Sequence, residues 1–168
     1  MTGSPGYGFR RATTEDLALL QEWQARPHVR AWWGRDEPYD AAELSDPRVA
    51  RWIVSRHDRP FAFMQDYAVH GWESHHFAGL PPGSRGIDQY IGDPAMTGIG
   101  HGTAFVAVRM RALFAAGAPV IATDPHPDNA QAIAAYRKLG FVPAGPSQDT
   151  EWGLILPMYA RTPPGESL

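Results

Sequence analysis

The chain has 168 residues, a single-domain length large enough to bury an ordinary core. It has no cysteine, which excludes disulfides, thiolate metal sites and a cysteine nucleophile and fits a cytoplasmic protein. Its net charge of −3, with no basic stripe, argues against a nucleic-acid partner. No apolar run approaches the ~20 residues of a membrane span, and Met1-Thr2-Gly3-Ser4-Pro5-Gly6 lacks the basic and apolar segments of a secretory signal.

After a start expected to be flexible over residues 1–8, Phe9-Arg10-Arg11-Ala12 reads as a first strand. Thr13 or Thr14 can cap a helix in which Leu17, Leu20 and Trp23 recur at helical spacing. Trp32-Trp33-Gly34 follows in an irregular, proline-containing stretch. Residues 49–54 and 60–69 read as two strands joined across Arg56-His57-Asp58-Arg59 in an antiparallel hairpin. Residues 70–84 carry no period and read as a loop, and 85–91 as a short strand.

A glycine-rich turn comes next, Thr97-Gly98-Ile99-Gly100-His101-Gly102-Thr103, leading into an apolar helix from Thr103 to Ala116 that Gly117 closes. Residues 120–123 form a buried-type strand, 128–139 a helix closed by Gly140, and final strands lie near 141–145 and 152–159. Strands alternating with helices, with hairpins at both ends and no repeat or linker, predict one mixed α/β layered domain over residues 1–168.

The glycine turn has a physical reading of its own. Glycine lets backbone approach a phosphate closely, and a helix N-terminus adds unpaired N–H donors. No Gly-Lys-Ser/Thr follows, so it is not a Walker loop, and the spacing departs from G-x-G-x-x-G. Downstream, Asp128-Asn129 runs into a helix carrying one mid-helix tyrosine, Tyr136, and a Gly140-Phe141 stop.

In this order and at this distance the two segments resemble the acetyl-CoA-binding half of the GNAT N-acetyltransferases. The strand Arg85-Gly86-Ile87-Asp88-Gln89-Tyr90-Ile91 resembles the Gly-Ile-Asp-Gln strand of the aminoglycoside 6′-N-acetyltransferases. Phe9-Arg10-Arg11, Asp16-Leu17, Glu22-Trp23, His28, Trp32-Trp33-Gly34, Gln65 and Tyr67 follow in the same order, so the resemblance spans nearly the whole chain.

The resemblance implies a GNAT fold, with a central mixed, mostly antiparallel sheet flanked by helices. It implies acetyl-CoA as co-substrate, no metal, and a small-molecule amine as acceptor, in a monomer or homodimer. Asp88 would bind the reacting amine and act as its base, since an alkylammonium with a pKa near ~10 is almost fully protonated at neutral pH. Tyr136 would donate a proton to the departing thiolate. N–H groups of the strand, Tyr90's foremost with Ile91 beside it, would polarise the thioester carbonyl. The turn (Gly98, Gly100, His101, Gly102, Thr103) would cradle the pyrophosphate and Asn129 would contact the pantetheine arm.

Trp32, Trp33, Gln65, Tyr67 and Trp72 would line the acceptor cleft, with Asp124, Asp149 and Glu151 holding further ammonium groups. Two departures stand out. Thr97 replaces the usual Arg or Gln, and Trp72-Glu73-Ser74-His75-His76-Phe77 replaces an acid-rich loop with a single carboxylate. The altered loop keeps open other amine acceptors, siderophore hydroxylamines among them. A non-catalytic acyl-CoA-binding module is an alternative of another class, against which the presence of both Asp88 and Tyr136 argues. His70, His75 and His76 match no zinc spacing and read as loop imidazoles facing water.

Overall fold

The computed structural model describes residues 6–33 and 37–165. Residues 1–5 of the segment expected to be flexible, and Gly34, lie outside them. Tyr7 and Gly8 belong to strand β1 (Tyr7–Arg11), opposite Arg56 and Ser55 of strand β2 (Val49–Arg56). The fold is a seven-stranded sheet of order β1-β2-β3-β4-β5-β9-β6. Its further members are β3 (Arg59–Ala68), β4 (Arg85–Ile91), β5 (Ile121–Thr123), β6 (Val142–Pro143) and β9 (Met158–Ala160). All pairings are antiparallel except β4 with β5, the mixed and mostly antiparallel arrangement expected.

Alternation along the strands buries both faces. Val54, Met64 and Ile87 pack on one face with Phe105, Met110 and Leu139, contributed by helix α4 (His101–Ala115) and the end of helix α5 (Ala130–Lys138). Their neighbours Ile53, Phe63 and Tyr90 pack on the other with Leu20, Trp23 and Val29, from helices α1 (Leu17–Ala25) and α2 (Pro27–Trp33). A third cluster, with Tyr67, Val69, Phe77 and Val120, holds the 70–84 loop down. Strands buried on both sides read as nearly continuous apolar runs, as 60–69 does.

Local chemistry explains the boundaries. Thr13 caps the first helical turn, and Asp16 returns the bond to the Thr13 N–H. The β2–β3 turn has positive φ at both His57 and Asp58, the geometry of a two-residue hairpin. Trp32 and Trp33 sit in the last turn of α2 rather than in irregular chain, because Pro27 starts that helix at its first position instead of breaking one. A short helix α3 (Ala41–Leu44), capped by Asp40, also went unforeseen. The strand expected over 152–159 is interrupted at Pro157, which has no N–H to donate. Its first part, β8 (Gly153–Ile155), instead pairs with β7 (Gln148–Thr150) in a separate hairpin.

Candidate active site

The site begins where the sheet comes apart. β4 and β5 pair only at Arg85–Ile121 and Gly86–Ala122. One further tie, from Thr123 Oγ1 to the Ile87 carbonyl at 3.1 Å, closes the junction. Beyond it the strands diverge, and a cleft of about 550 Å³ opens, a size suited to small-molecule ligands. It is lined by Trp32, Trp33, Asp88, Tyr90, Ile91, Gly98, Gly100, Gly102, Thr103, Asp124, Asn129 and Tyr136. Expected site residues from separate segments of the chain thus meet there.

The ladder decides which main-chain groups face the cleft. Antiparallel pairing alternates bonded and open pairs. Gly92 N–H donates to the Phe61 carbonyl at 2.8 Å, so the Phe63–Tyr90 pair two residues on is again a bonded one. That commits Tyr90 N–H to β3. The outward groups belong to Ile87, Gln89 and Ile91: the Ile87 carbonyl accepts from Thr123 and the Ile91 carbonyl from His28 Nε2 at 2.8 Å. Gln89 and Ile91 therefore direct their N–H groups to the open side of β4, the role expected of Tyr90.

The glycine turn is built as a cradle. Gly98 and Gly100 hold φ of 72° and 96°, values L side chains rarely adopt. Gly100 caps α4, which starts at His101, two residues before the expected Thr103. Gly102 and Thr103 therefore lie in its first turn, where N–H groups have no intrahelical partner. His101 turns away from the cleft lining. Its Nδ1 accepts from the Tyr7 hydroxyl at 2.7 Å and from Arg56 at 3.2 Å, and its ring meets Tyr7 and Phe61 edge-on. Since arginine only donates, Nδ1 is bare. Burial, aided by Arg56, lowers the His101 pKa.

Tyr136 is fixed from two ends. Asn129 caps α5 by accepting from Ala132 N–H at 3.2 Å. At the other end Gly140 takes φ 96°, and Phe141 N–H donates to the Tyr136 carbonyl itself at 3.1 Å. This is the Schellman arrangement, completed by the Tyr136–Phe141 ring contact. The Tyr136 hydroxyl hydrogen-bonds with Thr123 and Gln89; burial pushes its pKa up to about 12, with the Asp88 and Asp124 charges adding to the rise. It is a proton-bearing group at any working pH.

Opposite it, Asp88 Oδ2 accepts from Gln65 Nε2 at 2.8 Å, across the register pair Gln65–Asp88. Asp88 also hydrogen-bonds Asp124 at the end of β5. Burial, reinforced by the Asp124 carboxylate, raises the Asp88 pKa well above the usual range. Burial likewise raises Asp124, against the bond it receives from Asp88. Two buried carboxyls joined in this way share one proton.

Of the residues expected on the acceptor side, Trp32 and Trp33 line the cleft, whereas Gln65, Tyr67 and Trp72 are not in its lining. Trp32 is 47% exposed and faces His126. Trp33 packs edge-on against Tyr90 at 4.7 Å, half cleft wall and half core. Tyr67 is buried under Trp72, its hydroxyl pKa raised by burial and by the Asp124 and Asp88 charges. Arg48 lies over the face of Trp72 at 4.8 Å. Glu151, at the β7–β8 turn, and Asp149, on β7, are both exposed and outside the cleft lining, though Glu151 is close enough to act on His76.

Sequence reasoning missed His76, Gln89 and Thr123. The imidazole of His76 does not face water, and no periodicity could reveal that Trp152 and Phe77 enclose it. Gln89 and Thr123 carry the bonds that orient Tyr136, a role visible only once strands and helix meet. Among the described residues no group of three or more His, Asp or Glu side chains could hold a metal ion, and no helix is long and apolar enough to cross a membrane.

Comparison with known proteins adds the following. The profile of the acetyltransferase (GNAT) domain matches residues 12–148. The aminoglycoside N(6′)-acetyltransferase type 1 of Klebsiella pneumoniae is 34% identical over 149 residues, covering 79% of this chain and 72% of that protein. A kanamycin resistance protein of Rhizobium radiobacter is 43% identical over 61 residues, 36% of this chain and 56% of that one. The structure of AAC(6′)-Ib with paromomycin and acetyl-CoA superposes with a TM-score of 0.83 at 31% identity, covering 93% of each chain. The same enzyme with coenzyme A and kanamycin gives 0.82 at 31% identity, over 92% of this chain and 94% of that one.

Proposed function

The chain belongs to the GNAT acetyltransferase family, and we propose that it moves the acetyl group of acetyl-CoA directly to a primary amine, the 6′-amine of an aminoglycoside. The observation that carries this reading is that Asp88 and Tyr136 line one cleft, where β4 and β5 separate.

The cofactor half fits its ligand by its own geometry. The glycine turn holds the positive φ at Gly98 and Gly100 that a side chain would strain, and the first-turn N–H groups of α4 can receive phosphate oxygens. On the open side of β4, Gln89 and Ile91 N–H groups can hold the thioester carbonyl and stabilise the negative charge its oxygen gains as the amine attacks. Tyr136, protonated and oriented by Thr123 and Gln89, donates to the sulfur as the carbon–sulfur bond breaks.

Asp88 and Asp124 hold the acceptor ammonium and take its proton, leaving a neutral nucleophile. Trp32 and Trp33 supply aromatic faces suited to a cationic sugar. No group on the cleft wall needs to be acylated, so transfer runs in a ternary complex. A second reading, another small amine as acceptor, is favoured by one observation: the 70–84 loop presents Glu73 as its single carboxylate, so a polycation meets fewer partners there.

The deciding experiment follows CoA release from acetyl-CoA with kanamycin- and tobramycin-type acceptors, matched compounds lacking the 6′-amine, polyamines and hydroxylamines. Release restricted to acceptors bearing the 6′-amine establishes the proposal. Release only with other amines moves the substrate and keeps the mechanism. Binding of acetyl-CoA with no release overturns the catalytic reading.

A further inference from the structure

One side chain of the 70–84 loop enters the carboxyl pair. His76 Nε2 lies 2.7 Å from Asp124 Oδ2, and the His76 side chain is only 6% exposed. Its Nδ1 is buried and, among the described residues, has no hydrogen-bond partner. An imidazolium here would bury an unsatisfied N–H together with a charge, which is costly. A neutral ring with its proton on Nε2 avoids both: the N–H donates to Asp124 and the bare Nδ1 needs nothing. Burial lowers the His76 pKa against the opposing Asp88 and Glu151 charges. His75, stacked on it at 4.1 Å, is itself held neutral by burial, its pKa lowered to about 4, and adds an uncharged ring to the enclosure. The contact is thus a hydrogen bond from a neutral donor, not an ion pair.

The bond bears on which carboxyl carries the shared proton. Asp88 is raised well above the usual range and so holds the shared proton, which points at Asp124. Asp124 then receives that O–H and the His76 Nε2–H, whereas Asp88 receives only the Gln65 amide. We propose that His76 is a positioning residue for acetyl transfer, a neutral donor that fixes Asp124 as the ionised member of the pair and makes it the terminal proton acceptor behind Asp88. This rests on the reading of the pair as the amine-binding base.

The step balances. An N–H bond of the acceptor ammonium breaks as an O–H bond forms on one Asp88 oxygen. The O–H on the other Asp88 oxygen breaks as one forms on Asp124. The ammonium becomes neutral, the pair passes from one proton to two, and His76 keeps its charge throughout. The pair returns to one proton by releasing the other to solvent once product leaves. The titratable groups that face this assembly are His75 beside His76, Tyr67 from β3, Tyr136 from α5 and Glu151 from the β7–β8 turn.

Removing the donor should raise the proton affinity of Asp124 and fill the pair with protons at a higher pH. The test compares wild type, His76→Ala and His76→Gln, the last offering a neutral amide N–H in place of Nε2–H. Carbon-13 NMR of labelled aspartate carboxyls in the ligand-free protein is read alongside the pH profile of kcat/KM for a competent amine. In His76→Ala the proton affinity of Asp124 should rise about tenfold, which moves its titration midpoint up by about one on the pH scale. The acid limb of kcat/KM should move with it, and KM for acetyl-CoA should hold. His76→Gln should restore both. Superimposable carboxyl titrations in the three proteins overturn the proposal, as does a glutamine variant whose carboxyls titrate normally while its kcat/KM stays as low as alanine's. If wild type acetylates no amine, the amine-base reading fails, and the carboxyl titrations still decide the place of His76.

Discussion

Asp88 and Asp124 hydrogen-bond to each other across the gap that opens where β4 and β5 cease to pair. Both are raised from the ordinary carboxylate range, chiefly by burial, so the folded protein binds protons that the unfolded chain does not. A group raised in the folded state favours folding most at low pH, and that contribution is lost as pH rises through its folded pKa. The pair is therefore a source of instability at neutral and alkaline pH. Asp88→Asn should stabilise the protein at pH 8 by about 1 kcal/mol or more, since a tenfold change in proton affinity is worth about 1.4 kcal/mol. The gain should vanish below about pH 4, where both states are protonated. Urea unfolding at the two pH values checks this.

The same substitution should cost roughly two to four orders of magnitude in turnover, with little change in the dissociation constant for acetyl-CoA. Stopped-flow single-turnover kinetics beside calorimetric titration separates the two. Equal, modest losses in both would remove Asp88 from its role as base.

Tyr136→Phe keeps the ring against Phe141 and removes only the hydroxyl that meets Thr123 and Gln89. We expect the chemical step to slow by about a hundredfold or more, with a stability loss of only about 1–2 kcal/mol from unmade hydrogen bonds. Because burial holds this hydroxyl near a pKa of about 12, the wild-type profile should show no alkaline limb from it below about pH 10. A Phe variant with unchanged single-turnover rate would leave Tyr136 a core residue.

Gly140→Ala tests whether the end of α5 holds Tyr136 in place. The position needs φ 96°, which costs a residue with a Cβ about 1–2 kcal/mol. Phe141 N–H bonds the Tyr136 carbonyl through this turn, so kcat should fall together with the melting temperature. Gly140→Asn, better tolerated there, should fall less in both.

Asp66 is fully buried between Arg85, Arg109 and Trp52 Nε1. Burial raises its pKa, but the hydrogen bonds of the two arginines win and hold it below the usual range. A depressed carboxyl contributes stability that is present above its unfolded pKa of about 3.9 and lost as pH falls through the folded value. Asp66→Asn should cost about 3–5 kcal/mol at pH 7, since it leaves two partly buried arginines without their acceptor. The difference from wild type should shrink as pH drops below about 4. Denaturant midpoints at pH 7 and pH 3 measure it.

Much of the fold could be read from sequence because its signals were local. Gly117 and Gly140 ended helices within one residue of where they were expected, and the turn at His57-Asp58 joined two strands whose apolar runs bounded it. The exceptions were local rules overridden by neighbours: Pro27 starting a helix, and Pro157 detaching β8 from the final strand. The site was legible as a set of residues and much less as an arrangement. Nothing in the spacing said that Gln65 would face Asp88, that His101 would turn to Tyr7, or that Gln89 and Ile91 rather than Tyr90 would offer the open N–H groups. Each depends on register, which is settled by strands far apart in the chain.

Strand β4 works as a reading frame. Its even-numbered positions set Asp88 and Tyr90 on the face covered by α1 and α2, and its odd-numbered positions turn main-chain donors to the opening. A single-residue insertion within 85–91 would invert both assignments at once, whereas one within 70–84 would shift neither. The 70–84 loop can thus vary in length and charge around a fixed His76 while the phase of the strand beside it holds.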